Sequence, residues 1–161
     1  SDSLTGLYNR RSFEDTLEQS ITCCRRKEAP PFTLLSIDID DFKMINDRYG
    51  HVHGDRVLRA FAEVLKRSIR AEDSAYRIGG EEFAVLMPTG GTAGAVKLAE
   101  RLRQNLLEEG KKWNLEEPLT ISVGIATYGE HAMSKEDLVH RADKALYEAK
   151  RLGKNRVMVT A

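Results

Sequence analysis

Several features are scarce in this chain of 161 residues, and each absence excludes a class of protein. No apolar run approaches the about 20 residues that span a bilayer, and no signal peptide is visible. Lys and Arg number 25, as do Asp and Glu, so no global basic field indicates a nucleic-acid or anionic-membrane partner. The only cysteines, Cys23 and Cys24, are adjacent. This spacing suits neither a zinc site nor a disulfide framework and fits a reducing compartment.

Two common catalytic signatures are also missing. No Ser/His/Asp order or Gly-x-Ser-x-Gly elbow supports nucleophilic catalysis. No Gly-x-x-x-x-Gly-Lys-Ser/Thr loop supports a P-loop NTPase. What remains, 41% hydrophobic and 31% charged residues, is typical of an ordinary globular protein. We expect one domain over residues 1–161. A motif is already under way at Ser1-Asp2, so we also expect that this domain comes from a longer protein.

Apolar periodicity and turn residues predict the element order α-β-α-α-β-β-α-β-α-β. The predicted fold class is α/β (α+β), with a central mixed five-stranded sheet that includes a β-hairpin and is covered by helices. The predicted helices are 10–26, 42–49, 55–69, 92–109 and 134–152. The predicted strands are 32–40, the two arms of a hairpin around 79–80 (the second arm 83–87), 119–126 and 156–159.

The hairpin carries two glycines and two carboxylates at its turn, in the run Gly79-Gly80-Glu81-Glu82. A Gly-Gly pair predicts a tight turn, because glycine reaches positive φ without a Cβ penalty. One interpretation is a solvated acidic tip. Adjacent carboxylates repel each other, however, and glycine would let a ligand lie against the backbone while the carboxylates hold a metal. On the hairpin alone the solvated tip is the favoured interpretation, and the rest of the chain must decide.

A second group of acids ends the first predicted strand, at Asp38, Asp40 and Asp41. Mg²⁺ takes oxygen ligands and is commonly shared between carboxylates and substrate phosphates. Asp38 and a glutamate of the hairpin could supply two ligands if the two strands are neighbours, and gathering these acids without a cation would be costly. An acidic patch at a sheet edge is the alternative, and the sequence does not decide between them.

Polar residues also cluster between this strand and the third predicted helix. Lys43 and Asn46 share a helix face, and His51 and Asp55 follow in a predicted glycine-bounded loop, 50–55. A lysine near phosphates would neutralise charge, while an amide and a carboxylate can bind a guanine edge. Taken singly, an N-cap role for Asp55 and a solvated Lys43 are the simpler interpretations.

A third pair, Arg70 and Asp73, precedes the hairpin. At this spacing near a helix end, an Arg and an Asp most often form a surface ion pair worth well under about 1 kcal/mol.

Taken together, these motifs resemble those of the GGDEF family, the catalytic domains of bacterial diguanylate cyclases. The matching segments are Gly79-Gly80-Glu81-Glu82-Phe83, Asp2-x-Leu4-Thr5-Gly6-Leu7-x-Asn9-Arg10, Asp38-Ile39-Asp40-x-Phe42-Lys43-x-Ile45-Asn46-Asp47-x-x-Gly50-His51-x-x-Gly54-Asp55, Ser122-Val123-Gly124-Ile125-Ala126 and Ala142-Asp143-x-Ala145-Leu146-Tyr147-x-Ala149-Lys150-x-x-Gly153-x-Asn155. The match covers essentially the whole chain in order, which makes it far more specific than a lone Gly-Gly-Glu-Glu-Phe.

The resemblance implies a palm-like nucleotidyl-cyclase fold and the conversion of two GTP into cyclic di-GMP and two pyrophosphates. Two facing subunits would each hold one GTP, so catalysis would need a homodimer. The implied cofactor is Mg²⁺, with Mn²⁺ as a substitute, and the implied inhibitor is the product, cyclic di-GMP. The implied setting is the bacterial cytoplasm, in a longer protein with a sensory or regulatory domain that can carry a membrane anchor.

The resemblance also assigns roles to individual residues. The implied metal ligands are the Asp38 carboxylate, the Ile39 carbonyl and Glu81, and the implied catalytic residues are Glu81, Glu82 and Lys43. The implied substrate-binding residues are Phe42, Asn46, His51, Asp55, Gly79, Gly80, Lys150 and Lys154. The implied product site consists of Arg70, Asp73 and Arg101, an interpretation that now outweighs the surface ion pair.

Two departures from the family pattern are small: Tyr8 stands where Pro is frequent, and Lys154 where Arg is common. The second removes bidentate geometry from one phosphate contact. The alternative function is a catalytically silent receptor for GTP or cyclic di-GMP, although such members usually lose a carboxylate that this chain keeps. A dimerising output module is a third possibility that nothing in the sequence favours. We expect weak activity from the isolated domain, because two half-sites must meet.

Overall fold

The computed structural model describes all residues, 1–161, and has the predicted order of five helices and five strands. The helices are α1 (Arg10–Arg25), α2 (Phe42–Tyr49), α3 (His51–Ser68), α4 (Gly91–Gly110) and α5 (Lys135–Arg151). The strands are β1 (Thr33–Ile39), β2 (Ser74–Arg77), β3 (Glu82–Met87), β4 (Ile121–Thr127) and β5 (Arg156–Val159). None of the helices has both the length and the apolar character needed to cross a membrane.

The five strands form one mixed sheet in the order β2-β3-β1-β4-β5, which confirms the predicted sheet. Strands β2 and β3 form the predicted hairpin, β1 lies between β3 and β4, and these pairs are all antiparallel. Only the β4–β5 pair is parallel. The central strand β1 is buried along almost its whole length, which explains its nearly continuous apolar sequence.

Helices cover both faces of the sheet, and each face has its own hydrophobic core. Side chains alternate along β1, so that Leu35, Ile37 and Ile39 belong to the larger core with α2, α3 and α4. Leu34 belongs to the smaller core with α1 and α5. Asp38 shares the parity of Leu34 and therefore lies on the α1/α5 face, at the end of the strand.

Helix α5 lies unusually close to the sheet because β4 carries Gly124. A Cβ added there would lie 2.2 Å from the carbonyl oxygen of Ala142. The start of α5 is capped as predicted, since the Ser134 hydroxyl accepts a hydrogen bond from the Asp137 amide at 3.1 Å. This close packing brings the last turn of α5, with Lys150, to the end of β1 where Asp38 lies.

The predicted loop 50–55 is wrong, because α3 begins at His51 and only Gly50 separates it from α2. Asp55 therefore lies inside the helix and is not its N-cap, a position that Gly50 occupies. The sequence was misleading because Gly54 looks like a helix breaker. Its role is close packing: a Cβ there would lie 1.8 Å from Oδ1 of Asn46.

Candidate active site

The acidic groups at the ends of β1 and the hairpin are neighbours. Strand register sets Asp38 opposite Glu82 on one side and opposite Ser122 on the other. The Ile39 amide donates to the Glu81 carbonyl at 3.3 Å. The strand adjacency that a shared metal site requires is therefore present in the fold.

Asp38 is buried, with 9% of its surface exposed, and its carboxylate is only partly satisfied. Its Oδ2 forms an ion pair with Nζ of Lys150, whereas its Oδ1 is buried without any hydrogen-bond partner. Burial raises the pKa of Asp38 to about 6. Lys150 opposes this rise, and the negative charges of Glu81 and Glu82 add to it.

An unpartnered buried carboxylate oxygen beside two further carboxylates fits a divalent cation. No three His, Cys, Asp or Glu side chains in the structure converge on one point in the way that a closed all-side-chain metal site requires. The set implied by the family resemblance does not need three, because it combines the Asp38 and Glu81 carboxylates with the Ile39 carbonyl. Such an open site leaves ligand positions for water or substrate oxygens.

The other two acids of this segment, which were not assigned as metal ligands, have partners of their own. Asp40 is buried and accepts hydrogen bonds from the Thr120 and Ser122 hydroxyls, each at 2.7 Å. Asp41 adopts a left-handed conformation (φ 55°) before α2 and pairs with Lys154 at 2.5 Å. Only Asp38 remains beside the hairpin carboxylates.

The glycine turn does not use the positive φ that the Gly-Gly pair predicted. Neither Gly79 nor Gly80 lies in the left-handed region, because the loop spans four residues (78–81) and not two. A Cβ on Gly80 would meet nothing within 4 Å, and one on Gly79 would make ordinary contact with Glu82. Neither packing nor backbone conformation therefore requires glycine here. The remaining explanation for the pair is that a ligand lies against this part of the backbone.

Arg77 holds this turn in place, a role that the sequence did not indicate. Its guanidinium donates to the carbonyl oxygens of Gly79 (3.1 Å) and Gly80 (2.9 and 3.3 Å) and pairs with Asp2 at 3.2 Å. Burial raises the pKa of Asp2, but hydrogen bonds from Thr5 and Arg77 outweigh it and lower the pKa overall. The available signal was Asp2 itself, as the first residue of the opening motif.

The residues predicted to bind the base lie around the α2–α3 junction. The Asn46 side chain packs directly against Gly54, next to the buried ring of Phe42. Asp55 follows Gly54 in the chain and is exposed, as is His51. The packing role of Gly54 beside Asn46 was not predicted from the sequence, although Gly54 stands inside the central motif.

The three lysines expected at phosphates all face carboxylates. Lys150 pairs with Asp38, Lys154 with Asp41, and Lys43 with Asp47 of its own helix at 3.4 Å. Lys43 is almost fully exposed, and the structure does not bring it to Asp38. An exposed pair of this kind contributes little stability, so Lys43 is free to reorient.

A separate polar cluster follows α3. Asp73 is buried and accepts from the Arg70 amide at 2.9 Å, while its Oδ1 lacks a partner. The surface ion pair, the alternative interpretation of these two residues, does not form, since it is the Arg70 backbone amide and not its guanidinium that contacts Asp73. Burial raises the pKa of Asp73, and the nearby charges of Arg70 and Arg101 oppose that rise. Arg101 donates to the Ser68 carbonyl. These three residues therefore lie near one another.

Comparisons with known proteins agree with this architecture. A family profile described as "Diguanylate cyclase, GGDEF domain" matches residues 1–156. The diguanylate cyclase VdcA of Vibrio cholerae is 40% identical over 98% of this chain, and the probable diguanylate cyclase DgcT of Escherichia coli is 37% identical over 98%. These matches cover 46% and 35% of the two relatives, so the chain spans less than half of their length.

Solved structures agree as well. The GGDEF domain of DgcB from Caulobacter crescentus in complex with c-di-GMP has a TM-score of 0.90 and 34% identity, over 99% of this chain and 94% of that one. The active GGEEF domain of a diguanylate cyclase from Vibrio cholerae has a TM-score of 0.88 and 33% identity, over 96% and 98%. The chain belongs to the GGDEF family of diguanylate cyclase domains.

Proposed function

We propose that this domain is a Mg²⁺-dependent diguanylate cyclase that condenses two GTP into cyclic di-GMP across a homodimer. In each half-reaction a 3′-hydroxyl of one GTP attacks the α-phosphorus of the other. A new P–O bond forms, the α–β phosphoanhydride bond breaks, and pyrophosphate leaves. The observation that carries the proposal is the β1–β3 register, which sets Asp38 beside Glu81 and Glu82 with one buried carboxylate oxygen unpartnered.

The metal would be held by the Asp38 carboxylate, the Ile39 carbonyl and Glu81. When bound, Mg²⁺ (or Mn²⁺) supplies charge neutralisation and polarises phosphate oxygens. Glu81 would also accept the proton of the attacking hydroxyl, with Glu82 next to it. Burial raises the pKa of Asp38 to about 6, so the carboxyl is ionised near pH 7.5 and its buried charge favours a cation.

The chain's own cations would balance charge on the triphosphate. Lys150 pairs with Asp38 and Lys154 with Asp41, so both ammonium groups lie at the end of β1 where the metal would bind. Exposed Lys43 would stabilise the charge that develops as pyrophosphate leaves. Around Gly54, at the junction of α2 and α3, Asn46 and Asp55 would bind the guanine edge. His51 and Phe42 would complete this pocket.

The Arg70, Asp73 and Arg101 cluster supports a second proposal, inhibition by bound cyclic di-GMP. Guanidinium planes stack on purines and bind phosphate bidentately. The Asp73 oxygen without a partner leaves an acceptor for a guanine N–H. We further propose that the domain works in the bacterial cytoplasm under the control of a sensory or regulatory domain, since the curated relatives extend well beyond the matched region.

The test is incubation with GTP and Mg²⁺ at high protein concentration, followed by chromatographic separation of nucleotides. We expect cyclic di-GMP and pyrophosphate in a ratio of one to two. The rate should rise faster than linearly with protein concentration, because two subunits share each site. Glu81→Ala should abolish the product, and Arg70→Ala should relieve inhibition by added cyclic di-GMP while leaving the initial rate unchanged.

Failure of this assay has a clear meaning when binding is measured alongside it. Tight GTP or cyclic di-GMP binding without turnover, even after fusion to a dimerising coiled coil, would replace the enzyme with a receptor. A rate that stays linear in protein concentration down to dilutions at which the protein is monomeric would contradict the shared site.

A further inference from the structure

Asp40 is a buried acid that the proposed chemistry does not use, and it lies two residues from Asp38. Asp40 is 4% exposed, and both oxygens of its carboxylate accept hydrogen bonds. Its Oδ1 accepts from the Ser122 hydroxyl at 2.7 Å. Its Oδ2 accepts from the Thr120 hydroxyl at 2.7 Å and from the Asn155 amide at 3.0 Å. The carboxylate therefore joins β1, β4 and the segment before β5.

The segment that Asp40 holds is conformationally demanding. Gly153, Lys154 and Asn155 have φ values of 122°, 65° and 48°, so three successive residues have positive φ. Two of them are not glycine, and such residues need outside contacts to stay there. Further contacts hold Asn155, whose side-chain oxygen accepts from Arg103 at 3.0 Å. The amides of Gly153 and Lys154 donate to the α5 carbonyls of Lys150 and Ala149, and the amide of the third residue, Asn155, donates to the Asp40 carboxylate.

The turn carries Lys154, whose ammonium meets the carboxylate of Asp41. Successive residues of one segment, Asp40 and Asp41, thus hold the backbone and the side chain of the same turn. Because Ile39 and Asp38 directly precede them, the end of β1 connects the predicted metal ligands with a predicted phosphate contact.

We propose that Asp40 is a positioning residue, which holds the turn 153–155 so that Lys154 reaches the triphosphate of the substrate. This inference rests on the proposed function and adds a residue to which that function assigns no role. Asp40 acts through Lys154 and does not touch the nucleotide. It should therefore affect affinity for the phosphates and not for the guanosine part of the ligand.

The test compares two ligands by calorimetry with Mg²⁺ present. One is a GTP analogue with a methylene between the α- and β-phosphorus atoms, which cannot release pyrophosphate, and the other is guanosine. Asp40→Ala should weaken the analogue about tenfold, as expected for the loss of a charge-assisted contact, and leave guanosine unchanged. Lys154→Met should give the same loss, and the double variant should lose no more than either single variant.

Two variants separate positioning from folding. Asp40→Asn keeps an amide oxygen that can accept from Asn155 and should retain affinity for the analogue. Ser122→Ala removes a hydroxyl from the far oxygen of Asp40 and should also retain it. If Asp40→Ala does not fold, Asp40→Ser fills the polar site but is too short to reach Asn155, and it should show the same selective loss.

The inference is overturned if Asp40→Ala or Asp40→Ser lowers only thermal stability and leaves the ratio of analogue to guanosine affinity unchanged. Additive losses in the double variant would also overturn it, because Asp40 would then act independently of Lys154. Wild-type protein that binds the analogue no better than guanosine would overturn the proposed function and this inference with it.

Discussion

Asp38 and Asp40 are buried carboxylates two residues apart at the end of β1, and their surroundings are opposite. Asp40 has three hydrogen-bond donors and joins three segments of the chain. Asp38 has a single cationic partner, an unpartnered oxygen and two glutamates close enough to raise its pKa further. The difference separates an acid that stabilises the fold from one whose charge is left for a ligand.

The largest expected effect follows from neutralising Asp38. Asp38→Asn should lower turnover by about 10³-fold, because a metal ligand and its charge are both lost. Cyclic di-GMP formation at saturating GTP is the measurement. Ser36→Ala is the matched control, since Ser36 lies on the same strand face and bonds only Asp143, at 2.9 Å. Turnover within a few-fold of wild type in Asp38→Asn would show that this carboxylate is not a ligand.

The second prediction concerns stability at Asp40. Asp40→Ala leaves two hydroxyls and one amide without their acceptor, so the free energy of unfolding should fall by about 3 kcal/mol. For a domain of this size, the thermal midpoint should fall by about 6–12 °C in calorimetry. Asp143→Ala, which removes an exposed acid with one hydrogen bond, should change stability by less than about 0.5 kcal/mol. Equal effects of the two variants would contradict the structural role of Asp40.

The third prediction has the opposite sign: Asp38→Asn should stabilise the metal-free protein. The Asp38 pKa is about 6 in the folded state against an ordinary value of 3.8, so the folded state binds this proton more tightly than the unfolded state. Stability from this group is therefore present below about pH 4 and is lost as the pH rises to about 6. At pH 8 the variant should be more stable by about 3 kcal/mol, and the gap should close near pH 4.

Urea unfolding at pH 4, 6 and 8 would measure that gap. Mg²⁺ should stabilise the wild type at pH 8 and leave the stability of Asp38→Asn unchanged. This result would show that the buried charge, which lowers the free energy of unfolding, is the group that binds the cation. A stability gap that does not vary with pH would mean that the charge of Asp38 does not destabilise the folded state.

The fold was predictable from sequence because its signals are local and repeated. Apolar runs marked the central strands, and Ser134 marked the start of α5. The metal site could be predicted only on the condition that β1 and β3 are neighbours in the sheet. No local sequence pattern indicates that they are. The different surroundings of Asp38 and Asp40 were not predictable, because they depend on two hydroxyls at the start of β4, 80 and 82 positions away along the chain. Gly54 misled because its role depends on packing between two helices: the side chain that lies against it, Asn46, belongs to α2.

The last and smallest effect tests how the hairpin presents its carboxylates beside Asp38. Arg77 donates to the carbonyls of Gly79 and Gly80 and pairs with Asp2, so two kinds of contact hold the turn. Arg77→Met should lower the free energy of unfolding by about 1 kcal/mol and raise the KM for GTP a few-fold, because the turn loosens. Asp2→Asn removes the charge of the ion pair but keeps a side-chain oxygen that can accept from Thr5. If it costs as much as Arg77→Met, the carbonyl contacts contribute nothing; if it costs clearly less, those contacts hold the turn. The carbonyls belong to the two glycines, so the second outcome would mean that Arg77 supplies the rigidity that the Gly-Gly pair lacks. The turn would then leave its backbone accessible to a ligand and still hold one conformation.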